Sequence, residues 1–209
     1  MKEYHKIQSI FKRDPENGYR FTDEYSCPEF EYLKDNEWGF TEKINGTNIR
    51  IIWDGQDGLR IAGKTDKASI PTFLYDKLNE IFSAKKFADC FQDSESGMTL
   101  YGEGYGAKIQ KGGGNYIPAG VGFVLFDVLI DNWWLLRSDT KDISLKLGID
   151  IVPILGTGNL NAAVEMCKKG FNSNWGDFQA EGIVLRTFTD LKDRSGGRII
   201  TKVKCKDFN

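Results

Sequence analysis

Three β-leaning runs between residues 38 and 63 constrain this chain most. Trp38 to Lys43, Asn48 to Trp53 and Gly58 to Ala62 cluster or alternate apolar residues, and two turn signals separate them. Asn45-Gly46 is the first turn signal. It is the strongest short hairpin dipeptide, because both residues tolerate positive φ. Asp54-Gly55-Gln56-Asp57-Gly58 is the second. The runs are expected to pair back across these turns, so the decapeptide Thr41 to Arg50 reads as a hairpin with Lys43 just before its bend.

Beyond this centre, Lys6 to Phe11 reads as a strand and Pro15-Glu16-Asn17-Gly18 as a turn. Pro71 to Phe82 carries Phe73, Leu74, Leu78, Ile81 and Phe82 at helical spacing, with proline near the start, where it is tolerated. Met98 to Glu103 and Gly122 to Ile130 read as buried strands, and Gly104 to Gly120 between them as a glycine-rich loop. Ser138 to Leu147 is a predicted helix with Ser138 as its cap and Gly148 as its stop. Asn159 to Lys169 is a second, ending at Gly170. Gly182 to Phe188 and Arg198 to Lys204 are closing strands. Helices and strands are interspersed without a regular βαβ alternation, so the fold class is α+β on mostly antiparallel sheets. With no repeat and no linker-like stretch, residues 1–209 are expected to form a single domain.

Composition excludes several chemistries. The only histidine is His5, which nearly removes a His-based general base or metal site. Cys27, Cys90, Cys167 and Cys205 form no CxxC pair, so neither zinc nor a disulfide framework is expected. A net charge of −2 is wrong for coating nucleic acid globally, though it permits a local basic groove. No apolar run approaches the about 20 residues that cross a bilayer, and the N-terminus lacks the apolar core of a signal peptide. The expected location is the cytoplasm, with no membrane partner.

Two nucleotide signatures fail on inspection. Gly58 to Thr65 fits the pattern GxxxxGK[ST], but Leu59-Arg60-Ile61-Ala62 alternates like a strand and Pro71 follows, whereas a P-loop opens into a helix. Gly102, Gly104 and Gly106 do not complete GxGxxG, because position 109 is isoleucine. Other stretches are weak singly. Tyr101 to Tyr116 sets Glu103, Lys108 and Lys111 among glycines, which let backbone approach a ligand. Asp127 lies in an apolar run and must meet a cation, a donor or solvent, since an unpaired buried carboxylate costs several kcal/mol. Glu181-Gly182 heads another apolar strand. Lys202, Lys204 and Lys206 would share one face of a regular strand.

Taken in order, these stretches resemble the covalent nucleotidyltransferases, the ATP-dependent ligases and mRNA-capping enzymes. Lys43-Ile44-Asn45-Gly46 is similar to motif I (KxxG) and Tyr101-Gly102-Glu103 to motif III. Phe126-Asp127 is similar to motif IIIa, Glu181-Gly182-Ile183-Val184 to motif IV, and Val203-Lys204-Cys205-Lys206 to motif V. The likeness narrows to the RNA ligase 2 type. Asn48 stands where DNA ligases and capping enzymes usually carry arginine, Ile109-Gln110-Lys111-Gly112 follows motif III, and motif V reads KCK.

The resemblance implies an antiparallel-sheet adenylation domain with flanking helices. It also implies an ATP-dependent enzyme that forms lysyl-AMP at Lys43, passes AMP to a 5′-phosphate RNA end and promotes sealing by a 3′-OH, as at a nicked duplex. A lysine amine with pKa near 10.4 is protonated at neutral pH and cannot attack; the cations Lys204 and Lys206 would favour its neutral form and offset phosphate charge. The carried-over roles give Phe126 the adenine stack, Glu103 the ribose and Glu42 the adenine edge. Ile44, Asn48, Lys64 and Glu181 complete the nucleotide set, and Glu181 and Glu103 are the ligands for Mg2+. Lys64 replaces an arginine and lacks its bidentate fork. The OB-fold of DNA ligases and the helical domain of RNA ligase 2 find no counterpart after Lys206, so a helper protein would assist sealing. Alternatives are a DNA acceptor, a GTP or NAD+ donor, or a nucleic-acid end-binding module without turnover.

Overall fold

The computed structural model describes residues 3–92 and 96–208. Its strands are β1 (Gln8–Ser9), β2 (Phe11–Asp14), β3 (Arg20–Tyr25), β4 (Trp38–Lys43), β5 (Thr47–Trp53), β6 (Leu59–Ala62), β7 (Met98–Gly106), β8 (Val121–Ile130), β9 (Trp133–Trp134), β10 (Asp150–Ile151), β11 (Ile154–Gly158), β12 (Gly182–Thr187) and β13 (Ile200–Lys204). Its α-helices are α1 (Pro28–Tyr32), α2 (Thr72–Ile81), α3 (Ala84–Cys90), α4 (Arg137–Leu147) and α5 (Leu160–Lys169). The class is α+β. Pairing is antiparallel apart from two short parallel contacts, β1 on β13 and β10 on β8. Among the described residues, no helix is long and apolar enough to cross a membrane.

The chain divides into two compact units. The first holds Asn45–Val152 with the described N-terminal residues through Tyr4. Its sheet runs β10-β8-β7-β5-β6, with β9 added on β8. Period-2 alternation sorts the side chains of β5: Ile49, Ile51 and Trp53 enter a core with Leu74 and Leu78 of α2, Phe87 of α3 and Leu147 of α4. Leu74 and Leu78 are i and i+4 on α2 and both are fully buried, each stabilising by about 1.5–3 kcal/mol. Asn48 and Arg50 take the opposite face. The second unit holds His5–Ile44 and the chain from Pro153 onward. Its sheet runs β1-β13-β12-β4-β11, and Trp38, Phe40, Ile183, Leu185 and Val203 pack with Leu160, Val164 and Cys167 of α5. Cys167 and Cys205 are reduced, buried thiols, and Cys167 Sγ donates to Val203 O at 3.9 Å; Cys27 and Cys90 are reduced and half-buried.

Several expectations need correction. β4 and β5 form no hairpin: β4 pairs with β12 and β11, β5 with β7 and β6. Each strand finds long antiparallel partners elsewhere, and Asn45-Gly46 carries the chain from one sheet to the other. The strand expected from Lys6 to Phe11 is split at Ile10, which is buried and donates its N–H to Lys202 O at 3.0 Å. β7 continues to Gly106, past the expected start of the glycine loop. Helix α4 begins at Arg137 with Leu136 at its cap, and the Ser138 hydroxyl donates to Asp139 instead. Gly148 does end that helix, at φ 58°. Lys206 does not share the face of Lys202 and Lys204. The strand stops at Lys204 and a 3-10 turn, Cys205–Asp207, takes over, leaving Lys206 exposed. α1, α3, β3, β9, β10 and β11 went unanticipated.

Candidate functional site

In the second unit, three strands converge on one carboxylate. Lys43 is the last residue of β4, Glu181 precedes β12, and Lys204 is the last residue of β13. In the ladder, Gly182 lies opposite Lys43 on one side and Lys204 on the other. Glu181 therefore stands between two lysines distant in sequence. Lys43 Nζ donates to Glu181 Oε2 at 2.6 Å, and Lys204 Nζ donates to Oε1 at 2.8 Å. The Glu181 carbonyl accepts from Cys205 N at 2.9 Å. Gly182 is required for this closeness, since a Cβ there would lie 2.1 Å from Val203 O. The side chains of Lys43, Glu181 and Lys204 keep 20%, 13% and 24% of their exposure, so solvent and ligands reach them. Two ammonium groups on one carboxylate leave a net positive cluster, suited to phosphate.

Glu42 occupies the opposite side of β4 and is almost fully buried. Its carboxylate accepts from Ser173 Oγ at 2.5 Å, Asn174 N at 2.9 Å and Asn174 Nδ2 at 3.1 Å. Three donors offset the desolvation of a buried charge, and they tie the turn at 173–174 to the strand that ends in Lys43. Ile44, the next residue, is buried.

In the first unit, the sheet face away from the helices carries polar and charged side chains among aromatic ones. Asn48 pairs with Glu103, and Arg50 pairs with Tyr101, which pairs with Asp127. Asn48 Oδ1 is buried without a hydrogen-bond partner; an unmet acceptor costs about 1–3 kcal/mol and marks where a ligand donor would be welcome. Glu103 is half-buried. Asp127 is fully buried and accepts from Tyr4 Oη at 2.5 Å, so it meets a donor and not solvent. Burial pushes the Tyr101 phenol up to about 12. Phe126 sits at a register shift in the β7–β8 ladder, half-buried, with the Tyr4 ring edge-on at 5.0 Å. Lys64 is exposed just past β6.

The glycine loop is pinned to the turn after Lys43. Asn45 N donates to Tyr116 Oη at 3.2 Å, Asn45 Nδ2 to Lys111 O at 3.0 Å, and Gln110 Nε2 to Gly46 O at 3.3 Å. Gly46 permits the contact, because a Cβ would lie 2.3 Å from Gly104 O. The Gly58–Thr65 stretch is not a P-loop: its centre is β6 and no helix follows directly. Among the described residues, no group of three or more His, Cys, Asp or Glu side chains could hold a metal ion. Glu181 and Glu103 belong to different units.

The family model described as RNA ligase matches residues 36–204. The chain belongs to the RNA ligase family. Solved structures of a Naegleria gruberi RNA ligase share its fold. A variant with ATP and Mn gives a TM-score of 0.65 at 17% identity, over 99% of this chain and 64% of that one. A second variant with AMP and Mn gives 0.65 at 18% identity, over 98% and 58%. The ligase with PPi gives 0.65 at 19% identity, over 98% and 58%. This member of the family thus spans about three fifths of the solved chains it matches. No curated protein matches the sequence.

Family motifs named Lys43, Glu181 and Lys204, but not the groups that brace them. Ser173 and Asn174 under Glu42, Tyr4 on Asp127, and Arg50 had no separate sequence signal. The isolated Asp127 in an apolar strand was the one hint that a donor had to be found.

Proposed function

We propose that this chain is an ATP-dependent RNA ligase-type adenylyltransferase with Lys43 as its nucleophile. The observation that carries the reading is Glu181 shared between Lys43 and Lys204. A lysine joined to a second lysine through one carboxylate, at the converging ends of three strands, can receive a phosphate group. The arriving triphosphate competes with Glu181 for both ammonium groups.

The Lys43 amine then attacks the α-phosphorus of ATP. A nitrogen–phosphorus bond forms, the bond to the β-phosphate oxygen breaks, and pyrophosphate leaves. Lys204, with Lys206 from the adjoining turn, offsets charge on the transferring group. A 5′-phosphate RNA oxygen next attacks the lysyl-AMP, breaking the nitrogen–phosphorus bond and returning the lysine. A 3′-OH attacks that activated end, forms the phosphodiester and releases AMP. Phe126, Glu103, Asn48, Lys64, Ile44 and Glu42 are assigned to the adenosine and its phosphates. A divalent cation such as Mg2+ fits a site of one or two carboxylates plus substrate phosphates; Glu181 would hold it, and it would supply positive charge on the phosphate oxygens.

The test is incubation with α-labelled ATP and Mg2+, with GTP and NAD+ as parallel donors. Acid-labile label on the wild type, absent from Lys43→Ala, is the expected result. A Lys43→Ala protein that labels equally well overturns the reading. Nicked duplexes with RNA or DNA strands then identify the acceptor.

A further inference from the structure

Arg50 has no part in the chemistry above, yet it is the largest charged side chain buried completely. It stands on β5 two residues past Asn48, on the same polar face. Its fork straddles Lys64. Nε donates to Gly63 O at 2.8 Å, and Nη2 donates to Asp66 Oδ1 at 2.8 Å. One acceptor lies immediately before Lys64 and the other two residues after it.

The loop is closed at other points as well. Ala68 N donates to Thr65 O at 3.2 Å. Gly63 lies so close to Ala68 that a Cβ on it would meet the Ala68 Cβ at 2.9 Å. Arg60 Nη2 reaches Asp66 Oδ1 from the side at 3.3 Å. Lys64 is therefore exposed on a loop whose backbone is anchored before and after it.

A buried guanidinium is costly, and a lysine could not replace it. Only a planar fork holds two acceptors at a fixed separation and angle. An exposed loop with nothing to position has little use for such an anchor. We propose that Arg50 is a positioning residue that holds Lys64 where its ammonium meets the ATP phosphates. This rests on the nucleotidyl-transfer reading and on the role of Lys64 within it. It also gives the Gly58–Thr65 stretch a use: a strand followed by a clamped lysine.

The test is titration calorimetry with ATP on the wild type, Lys64→Ala, Arg50→Lys, Asp66→Asn and the double variant Lys64→Ala/Asp66→Asn. Lys64→Ala is expected to weaken ATP binding about tenfold, the scale of one charge-assisted contact. Arg50→Lys and Asp66→Asn should weaken it about threefold to fivefold, with the labelling rate at saturating ATP within about twofold of wild type. Asp66 is half-exposed, so its variant keeps the fold if Arg50→Lys does not. Because the clamp acts through Lys64, the double variant should bind ATP no more weakly than Lys64→Ala alone.

Wild-type affinity in Asp66→Asn overturns the proposal, as does wild-type affinity in Lys64→Ala. So does a double variant in which the two losses multiply. If wild-type protein binds ATP without labelling Lys43, the transfer reading fails while the binding cycle still decides the clamp. If it binds no ATP, both fall.

Discussion

The two sheets hold their charges in opposite ways. In the second unit, Lys43, Glu181 and Lys204 meet at strand ends and each keeps a share of its exposure. In the first, Arg50 and Asp127 lie in one row across mid-strand positions, with Tyr101 between them, and all three are fully buried. Charges at strand ends can exchange partners, because water and ligand phosphate replace whatever they release. Charges in mid-sheet cannot. Losing one buried partner strands the other, and the whole desolvation penalty appears as lost stability. The first arrangement suits chemistry and the second suits shape.

That contrast predicts which substitutions move stability and which move activity. Asp127→Ala should have the largest effect, about 3 kcal/mol of unfolding free energy, because the buried Tyr4 Oη loses its acceptor. Urea denaturation measures it, and a loss under about 1 kcal/mol would erase the distinction between the sheets. Glu181→Gln should do the reverse: AMP labelling of Lys43 falls about a hundredfold, while the unfolding midpoint barely moves.

Next comes an alkaline effect confined to the buried row. Tyr101 ionises near 10 when unfolded and only at about 12 in the fold, because burial disfavours the phenolate. The native state therefore holds its proton longer. The contribution is complete below pH 10 and is lost as pH rises from 10 to 12, by up to about 2–3 kcal/mol. Comparing Tyr101→Phe with wild type across that window isolates it; parallel stability curves would show that the phenol titrates normally. The smallest expected effect is at the surface. Lys12 and Glu24 pair at 2.6 Å while both remain largely exposed, and Lys12→Ala should leave the urea midpoint where it is in wild type, because water screens the pair.

Local rules carried much of the fold. α2 and α5 were legible because their apolar spacing, and for α5 the Asn159 cap that accepts from Ala162 N, are written within a few residues. β6 was legible as alternation, and β5, β7 and β8 as β-leaning or buried runs. What failed was pairing. Asn45-Gly46 promises a hairpin on local grounds, but the longer partners of β4 and β5 lie far along the chain. Lys206 failed for a related reason: strand periodicity cannot announce where a strand gives way to a 3-10 turn. The site shows the same division. Lys43, Glu181 and Lys204 can be named from short motifs. That a single glycine stands opposite both lysines is a matter of register, and no local pattern encodes it. The clamp of Arg50 on residues 63 and 66 is equally long-range in its logic, since an arginine on a β-strand ordinarily reads as solvent-facing.

The register shift at Phe126 has a consequence for how this sequence can change. Upstream, the odd-numbered Phe123 and Leu125 enter the helix-side core; downstream, the even-numbered Val128 does. β8 thus changes reading frame once, and the step lies between Leu125 and Val128. Deleting one residue there would not merely shorten the strand. It would restore a single frame, with Phe123, Leu125 and Val128 all still on the core side, and would abolish the kink that sets Phe126 where it stands. Point substitutions can be absorbed along this strand one by one, but its length across that step is not free to drift.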